Sequence, residues 1–259
     1  ILPSWLTNIT ICGEDRDNTI ITWDDHANIK MPTGGLDSEA AVKGKPMGTF
    51  RTYTLKVQGS YITLKNITIE NNAAKLGQAV SLHLEGDHIL VQNCRLLGNQ
   101  DTVYTGIANN RSAFYDCYIE GTTDFIFGPG RAWFENCEIR SKANSYITAA
   151  SSPAGQEYGY VFNKCKLTAE PGIDKVYLGR PWRPYAATLF MNCEMGSHIR
   201  PEGWHNWGKH SNEQTARYSE YNNHGSGAAT KARVAWSRQL TKKEAAKVTI
   251  KNVFGEEAW

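Results

Sequence analysis

The sequence contains no run of apolar residues that approaches the roughly 20 needed for a transmembrane helix. Neither sign of charge is in excess, because the net charge is only +2, and no basic segment that would suit nucleic acid is present. Cys-x-x-Cys pairs, which are typical of zinc and redox sites, are missing. So is the Gly-x-Ser-x-Gly motif of serine esterases. We therefore expect no membrane partner, no nucleic-acid partner, no metal and no serine nucleophile.

A six-residue phrase that occurs seven times is the main feature that is present. Each copy begins with a large apolar residue and has further apolar residues at its fourth and sixth positions, whereas helical periodicity is absent until late in the chain. The copies occupy residues 6–11, 64–69, 91–96, 114–119, 134–139, 162–167 and 190–195. After a long first gap they recur every 20 to 28 residues. This spacing is typical of architectures in which each repeat stacks on the next.

The third position of the phrase indicates a bend. In a straight strand the first, third and fifth residues share a face, so the inward face must change partway through the phrase. Asparagine and aspartate tolerate left-handed backbone geometry better than other non-glycine residues, and the third positions are Asn8, Asn66, Asn93, Asp116, Asn136, Lys164 and Asn192. The pattern predicts an all-β, right-handed parallel β-helix. The alternative, a leucine-rich repeat, needs an LxxLxL frame that these copies lack.

Five of the six cysteines occupy one equivalent position of the phrase, at Cys94, Cys117, Cys137, Cys165 and Cys193. Ile9 and Ile67 fill the same position in the other two copies. Exchange with isoleucine indicates small apolar core residues rather than reactive thiols. A disulfide between neighbouring coils, such as Cys137 with Cys165, remains an alternative at this stage.

The uninterrupted repeat predicts one elongated domain over residues 1–259. Because the chain opens almost directly inside a repeat, we expect a terminal cap and any export signal to precede it. Late in the chain, residues 217–229 are interpreted as a surface excursion. Thr241 to Glu244 fits a capping box for a short helix that covers the open end of the solenoid, and residues 248–254 are interpreted as a last strand.

Two aspartates hold equivalent places in consecutive copies. Asp101 lies eight residues after Asn93, and Asp124 lies eight residues after Asp116. Equivalent atoms of neighbouring coils are expected about 5 Å apart, and at that range the two carboxylates cannot ionise equally easily. One ionised carboxylate and one carboxylic acid would suit nucleophilic attack with general acid/base help. Taken singly, either residue could be an ordinary turn aspartate.

Five segments together resemble the signature set of the pectin methylesterase family. They are GQAV at 77–80, GNQDTVYT at 98–105, GTTDFIFG at 121–128, YLGRPW at 177–182 and PEGWHNW at 201–207. The resemblance implies a right-handed parallel β-helix that hydrolyses galacturonate methyl esters in pectin, a polysaccharide, and releases methanol without a metal or organic cofactor. A monomer that is secreted or periplasmic is expected.

The resemblance also implies roles for particular residues. Asp124 would attack the ester carbonyl, and Asp101 would protonate the departing methanol and then activate water. Gln78 and Gln100 would donate hydrogen bonds to the oxyanion, and Arg180 would keep Asp124 ionised.

Four aromatic residues are assigned to substrate binding at this stage: Trp182, Trp204, Tyr104 and Phe127. Trp182 would stack on a sugar ring, as the resemblance implies. Trp204 is expected to line the groove, whereas Trp207 is expected to pack.

Two other kinds of function are compatible with the predicted scaffold. A pair of carboxylates about 5 Å apart would also suit a retaining glycosidase, and β-helices also carry polysaccharide lyases. The second kind is a carbohydrate-binding solenoid without enzymatic activity, which the intact set of aspartates, glutamines and arginine disfavours. Fold alone does not separate these functions.

Overall fold

The computed structural model describes residues 1–31 and 44–255, and in them the chain winds into a right-handed parallel β-helix. Successive coils add strands to three parallel sheets. Sheet 1 contains β1 (Ile9–Cys12), β4 (Ile62–Lys65), β7 (Ile89–Gln92), β10 (Arg111–Tyr115), β13 (Arg131–Glu135), β16 (Tyr160–Asn163), β19 (Ala187–Met191), β21 (Arg217–Tyr221) and β22 (Arg238–Gln239).

The other two sheets complete each coil. Sheet 2 contains β2 (Ile20–Trp23), β5 (Thr68–Asn71), β8 (Arg95–Leu97), β11 (Tyr118–Gly121), β14 (Glu138–Ser141), β17 (Lys166–Ala169) and β20 (Glu194–Met195). Sheet 3 contains β3 (Leu55–Val57), β6 (Leu82–Leu84), β9 (Val103–Thr105), β12 (Ile126–Gly128), β15 (Tyr146–Ala150) and β18 (Tyr177–Gly179). The predicted fold class is confirmed.

The predicted bend between sheets 1 and 2 is present in every copy of the phrase. All seven third-position residues, Lys164 included, have φ between 49° and 58°. The bend asparagines also bond along the solenoid: Asn93 donates to the Oδ1 atom of Asn66 at 2.9 Å. Where Lys164 replaces asparagine, the preceding Asn163 accepts the bond from Asn192 instead, at 2.9 Å. Stacked amides thus stabilise the same bend from coil to coil.

The interior of the coils is filled by side chains stacked in columns. Phe114, Phe134, Phe162 and Phe190 form one column with ring centroids 4.6, 4.3 and 4.3 Å apart and nearly parallel planes. The five repeat cysteines are buried as predicted. All six cysteines are free thiols, so the alternative of a disulfide between coils is not realised in the structure.

The interpretation of residues 217–229 as a surface excursion was wrong for residues 217–221. Residues 217–221 form β21, which pairs with β19, and Asn222 has the same left-handed bend at φ 49°. This eighth copy lacks the sequence pattern of the others, because Glu220 occupies an inward position where earlier copies have apolar residues. Its carboxylate is fully buried and accepts a hydrogen bond from the Arg233 Nε atom at 2.8 Å, which removes the cost of an unpaired buried charge.

The end of the chain follows the prediction only in part. The capping box forms, since the Thr241 side chain accepts from the Glu244 backbone at the start of α1 (Lys242–Ala245). The predicted strand at 248–254 is instead α2 (Ile250–Phe254), whose side chains Val253 and Phe254 pack on the outer face of sheet 1. The helices therefore cover a side of the solenoid and not its open end. Neither helix has the length and apolar character to cross a membrane, and the described residues form no other α-helix.

The phenylalanine column makes a prediction about stability. Phe162→Ala removes the ring between two stacked neighbours, so we expect it to lower the free energy of unfolding by about 3–5 kcal/mol. Chemical denaturation measures this quantity. As a control, Tyr185→Ala removes an aromatic ring that is 44% exposed and is expected to change the value by less than about 0.5 kcal/mol. Similar effects of the two substitutions would contradict the packing described here.

Candidate active site

Parallel register brings the two predicted aspartates to the same height on neighbouring coils. Val103 of β9 pairs with Ile126 of β12. Asp101 lies two residues before Val103, and Asp124 lies two residues before Ile126. The Asp101 backbone N–H donates to the carbonyl of Thr123 at 3.1 Å, which extends the register to the aspartates themselves. Both have left-handed backbones, with φ of 69° for Asp101 and 51° for Asp124. Aspartate accepts this conformation more readily than most residues.

Both carboxylates face a cleft of about 200 Å³ on the outside of sheet 3. The cleft gathers residues from several coils that are distant in sequence. Its lining consists of Thr49, Phe50, Gln78, Gln100, Asp101, Asp124, Phe127, Ala149, Arg180, Trp182 and Trp207. All five residues predicted to be catalytic are therefore brought together, although Asp101 and Asp124 are only 8% and 5% exposed.

Arg180 donates two hydrogen bonds to the Asp124 carboxylate. Its Nε atom lies 2.9 Å from Oδ1 of Asp124, and one terminal nitrogen lies 2.6 Å from Oδ2. The guanidinium is also held between two aromatic rings, with its central carbon 4.0 Å from the Tyr146 ring centre and 3.8 Å from that of Trp207. A bidentate ion pair with both faces stacked fixes the orientation of the carboxylate.

The two carboxylates have unequal surroundings. Burial, followed by the negative charge of Asp124, raises the pKa of Asp101 well above its ordinary value, and Arg180 opposes this only in part. Burial also raises the pKa of Asp124, but there the hydrogen bonds and the charge of Arg180 act directly against the rise. Asp101 is thus the group that holds a proton more firmly, and Asp124 is the carboxylate with a bound counter-ion.

Gln78 and Gln100 come from adjacent coils and lie beside one another. They pair through an isolated parallel bridge, and the Ala79 backbone N–H donates to the Gln100 carbonyl at 3.0 Å. Both side chains line the cleft and are partly exposed. Two amides at the edge of the carboxylate pair can direct N–H donors towards an oxygen atom bound in the cleft.

Aromatic residues form one wall of the cleft. Phe127 and Trp182 line it directly, with ring centroids 6.0 Å apart. Tyr104 packs beside this wall, 4.7 Å from Phe127 and 4.9 Å from Phe50 between ring centroids. Phe50 is 46% exposed and so leaves an open apolar face at the mouth of the cleft.

The expectation that Trp204 lines the groove was wrong. Trp204 is only 1% exposed, and its ring stacks on Tyr218 inside the solenoid at a centroid distance of 4.3 Å. Of the two tryptophans in this motif, Trp207 is the one that reaches the cleft, where it packs as expected but against Arg180. Sequence reasoning also missed Tyr146, which has no distinguishing pattern around it. Among the described residues, no group of three His, Cys, Asp or Glu side chains is arranged to hold a metal.

A family profile and two similar plant proteins identify the relatives of this chain as pectinesterases. The profile of the Pectinesterase family matches residues 2–257. The chain is 38% identical to Pectinesterase 31 of Arabidopsis thaliana over 246 residues, which are 94% of this chain and 75% of that protein. It is 33% identical to Pectinesterase QRT1 of the same plant, covering 94% of this chain but only 63% of the relative.

Solved structures show the same similarity. Pectin methylesterase from carrot superposes with a TM-score of 0.87 at 30% identity, over 99% of this chain and 80% of the carrot chain. Pectin methylesterase PemA from Erwinia chrysanthemi gives a TM-score of 0.79 at 29% identity, over 97% and 84% of the two chains. A pectin methylesterase in complex with a hexasaccharide matches equally well, with a TM-score of 0.79 at 29% identity over 98% of this chain and 84% of that one. On the match over nearly its whole length, this chain belongs to the pectinesterase family.

Proposed function

We propose that this protein hydrolyses the methyl esters of galacturonate units in pectin, giving methanol and a free carboxylate. The single observation that carries the proposal is the pair of buried aspartates at equivalent positions of neighbouring coils. Of the two, only Asp124 accepts hydrogen bonds from Arg180. Membership of the pectinesterase family and the oligosaccharide bound by a similar structure support an ester of a polysaccharide as substrate.

In the first half of the reaction, an Asp124 oxygen attacks the ester carbonyl, while Arg180 keeps the carboxylate ionised and aimed. The carbonyl electrons move to oxygen and then return to expel the methoxy group. Asp101 donates its proton to that group, so methanol leaves and an acyl-enzyme anhydride remains on Asp124. The raised pKa of Asp101 suits this step, because the residue must begin protonated.

In the second half, Asp101 is ionised and can accept a proton from water. The resulting hydroxide attacks the acyl carbonyl, the bond to Asp124 breaks, and both aspartates return to their starting states. Gln78 and Gln100 supply amide N–H donors to the oxyanion in both halves. Each such donor is worth about 3 kcal/mol of transition-state stabilisation.

Substrate binding is assigned to the aromatic wall. Trp182, which is partly exposed, offers its ring to the sugars beside the reacting ester, whereas Phe127, only 4% exposed, and Tyr104 support this wall from behind. Because pectin is a polymer outside the cell that makes it, we place the protein outside the cytoplasm, secreted or periplasmic, where it acts as a monomer. Assays on methylated pectin separate the rival enzymes: methanol indicates an esterase, new reducing ends a glycosidase, and an unsaturated product a lyase.

Asp124→Asn tests the nucleophile. The amide keeps the size and the left-handed backbone of aspartate but cannot form the anhydride, so we expect methanol release to fall by about 10⁴-fold or more. Binding of methylated pectin is expected to persist, because the aromatic wall is unchanged. Methanol is measured over time from highly methylated pectin.

Asp116→Asn is the matched control for that variant. Asp116 belongs to the same coil and also has a left-handed backbone, with φ 55°, but it is exposed and lies away from the cleft. Its turnover is expected to equal that of the wild type. If Asp124→Asn kept turnover close to that of the control, the assignment of the nucleophile would be lost.

Asp101→Asn tests the buried acid through stability as well as rate. The folded-state pKa of Asp101 is raised, so folding binds its proton more tightly, and stability declines as the pH rises above the ordinary carboxyl pKa. Asparagine removes this cost. We expect the variant to lose most activity and yet to melt several degrees higher than the wild type at pH 7, with the difference shrinking towards pH 4. A variant that melts lower than the wild type at pH 7 would show that the Asp101 carboxyl group does not destabilise the folded protein.

A further inference from the structure

Trp207 covers one face of the Arg180 guanidinium. Its ring stacks on the outer face of the Arg180 guanidinium at 3.8 Å, so it helps to hold the arginine against Asp124. Its backbone has φ 62°, which is a strained conformation for a bulky residue and persists only where surrounding contacts enforce it. The position of this ring over Arg180 therefore depends on what fixes the Trp207 backbone.

His205 provides that contact. The backbone N–H of Trp207 donates to the Nδ1 atom of His205 at 3.0 Å. The adjacent peptide is fixed as well, because the Gly208 N–H donates to Oδ1 of Asn206 at 2.8 Å. The His205 backbone in turn donates to the carbonyl of Gly179, next to Arg180, at 3.1 Å. One short turn thus ties Trp207 and Arg180 to the same piece of backbone.

The hydrogen bond sets the protonation state of His205. An Nδ1 atom that accepts a hydrogen bond carries no proton, so the imidazole is neutral with its proton on Nε2. The ring packs against both Tyr146 of β15 and Tyr177 of β18, at centroid distances of 5.4 and 5.2 Å, and these two tyrosines stack on each other at 5.3 Å.

Positive charges surround the ring. Burial, followed by the charges of Arg180 and Arg200, lowers the pKa of His205 from its ordinary value. Arg200 stacks on Tyr177 and pairs with Glu202 at 3.3 Å, and Asp124 is bound on the far side of Arg180. The neutral form therefore prevails at neutral pH.

We propose that His205 is a positioning residue which holds Trp207 over Arg180 while its imidazole is neutral, and that its protonation releases Trp207 and weakens the alignment of Asp124. This inference rests on the proposed function, because its effect is read through the ester hydrolysis. A protonated imidazole has an N–H at Nδ1 and so turns from acceptor to donor towards the Trp207 N–H. Alignment is complete above the lowered pKa of His205 and is lost as the pH falls through it.

The test compares His205→Asn with His205→Ala. Asparagine can place its Oδ1 atom where Nδ1 lies and accepts the same N–H, but it does not titrate; alanine offers no acceptor. The substrate is a fully methyl-esterified oligogalacturonate, whose charge does not change with pH, and methanol release gives kcat from pH 4 to pH 8. His224→Asn, at an exposed histidine away from the cleft, is the control and should keep the wild-type profile.

At pH 7 we expect His205→Asn to keep kcat within about 3-fold of the wild type, and His205→Ala to lose about 10-fold with little change in KM. On the acid side, kcat of the wild type should fall about 10-fold further than kcat of the asparagine variant, because protonation of His205 removes the same hydrogen bond that the alanine variant lacks, whereas asparagine does not titrate. An unchanged acid side in His205→Asn, or full activity in His205→Ala at pH 7, would overturn the proposal.

A second measurement separates failure of this inference from failure of the proposed function. The imidazole of His205, identified in NMR spectra by its loss in His205→Asn, should titrate below the ordinary 6.5, and the Trp207 amide resonance should shift with it. This coupling tests the hydrogen bond without any catalysis. If the two resonances titrate independently, the positioning role is wrong, whichever ester the enzyme cleaves.

Discussion

Parallel register between consecutive coils is the constraint on which this structure depends. Equivalent residues are repeated at the spacing of neighbouring strands, about 4.8 Å, so each side chain meets its own counterpart in the next coil. For phenylalanine the result is a stack of rings, and for the bend asparagines it is a ladder of amides. For Asp101 and Asp124 it brings two carboxyl groups together, and the bond from Arg180 to Asp124 decides which of them stays ionised. The same geometry therefore provides both the core and the reactive pair.

Much of the fold could be predicted because the repeat is visible in the residue types themselves. Asparagine and aspartate indicated the bends, and the register made Lys164 bend in the same way. Prediction failed where tertiary contacts outweighed local pattern. Glu220 occupies a core position only because Arg233 reaches it from a later segment. Val248 and Ile250 favour a strand by type, yet the Thr249 cap and packing on sheet 1 favour a short helix.

The candidate site likewise contains residues that could be predicted from the sequence and residues that could not. Counting from the bends was enough to bring Asp101 and Asp124 together, because that inference needs only the register. Trp204 was wrongly assigned to the groove in preference to Trp207, because the directions of these two side chains depend on the turn between them. That turn has a left-handed tryptophan instead of a glycine, and its backbone is held by the hydrogen bond to His205. Tyr146 was beyond prediction for a similar reason: its contact with Arg180 joins residues of different coils.

Arginine suits the position of Arg180 in a way that lysine would not. Its planar group presents two N–H donors in one edge to both oxygens of Asp124 and leaves both faces free for Tyr146 and Trp207. An ammonium group could supply the charge but not the fixed orientation. Because Asp124 is almost fully buried, a shift of the guanidinium would leave the carboxylate unpaired in a poorly solvated place, where it would take up a proton. The aromatic rings around Arg180 thereby influence the ionisation of a carboxylate that they do not have to touch.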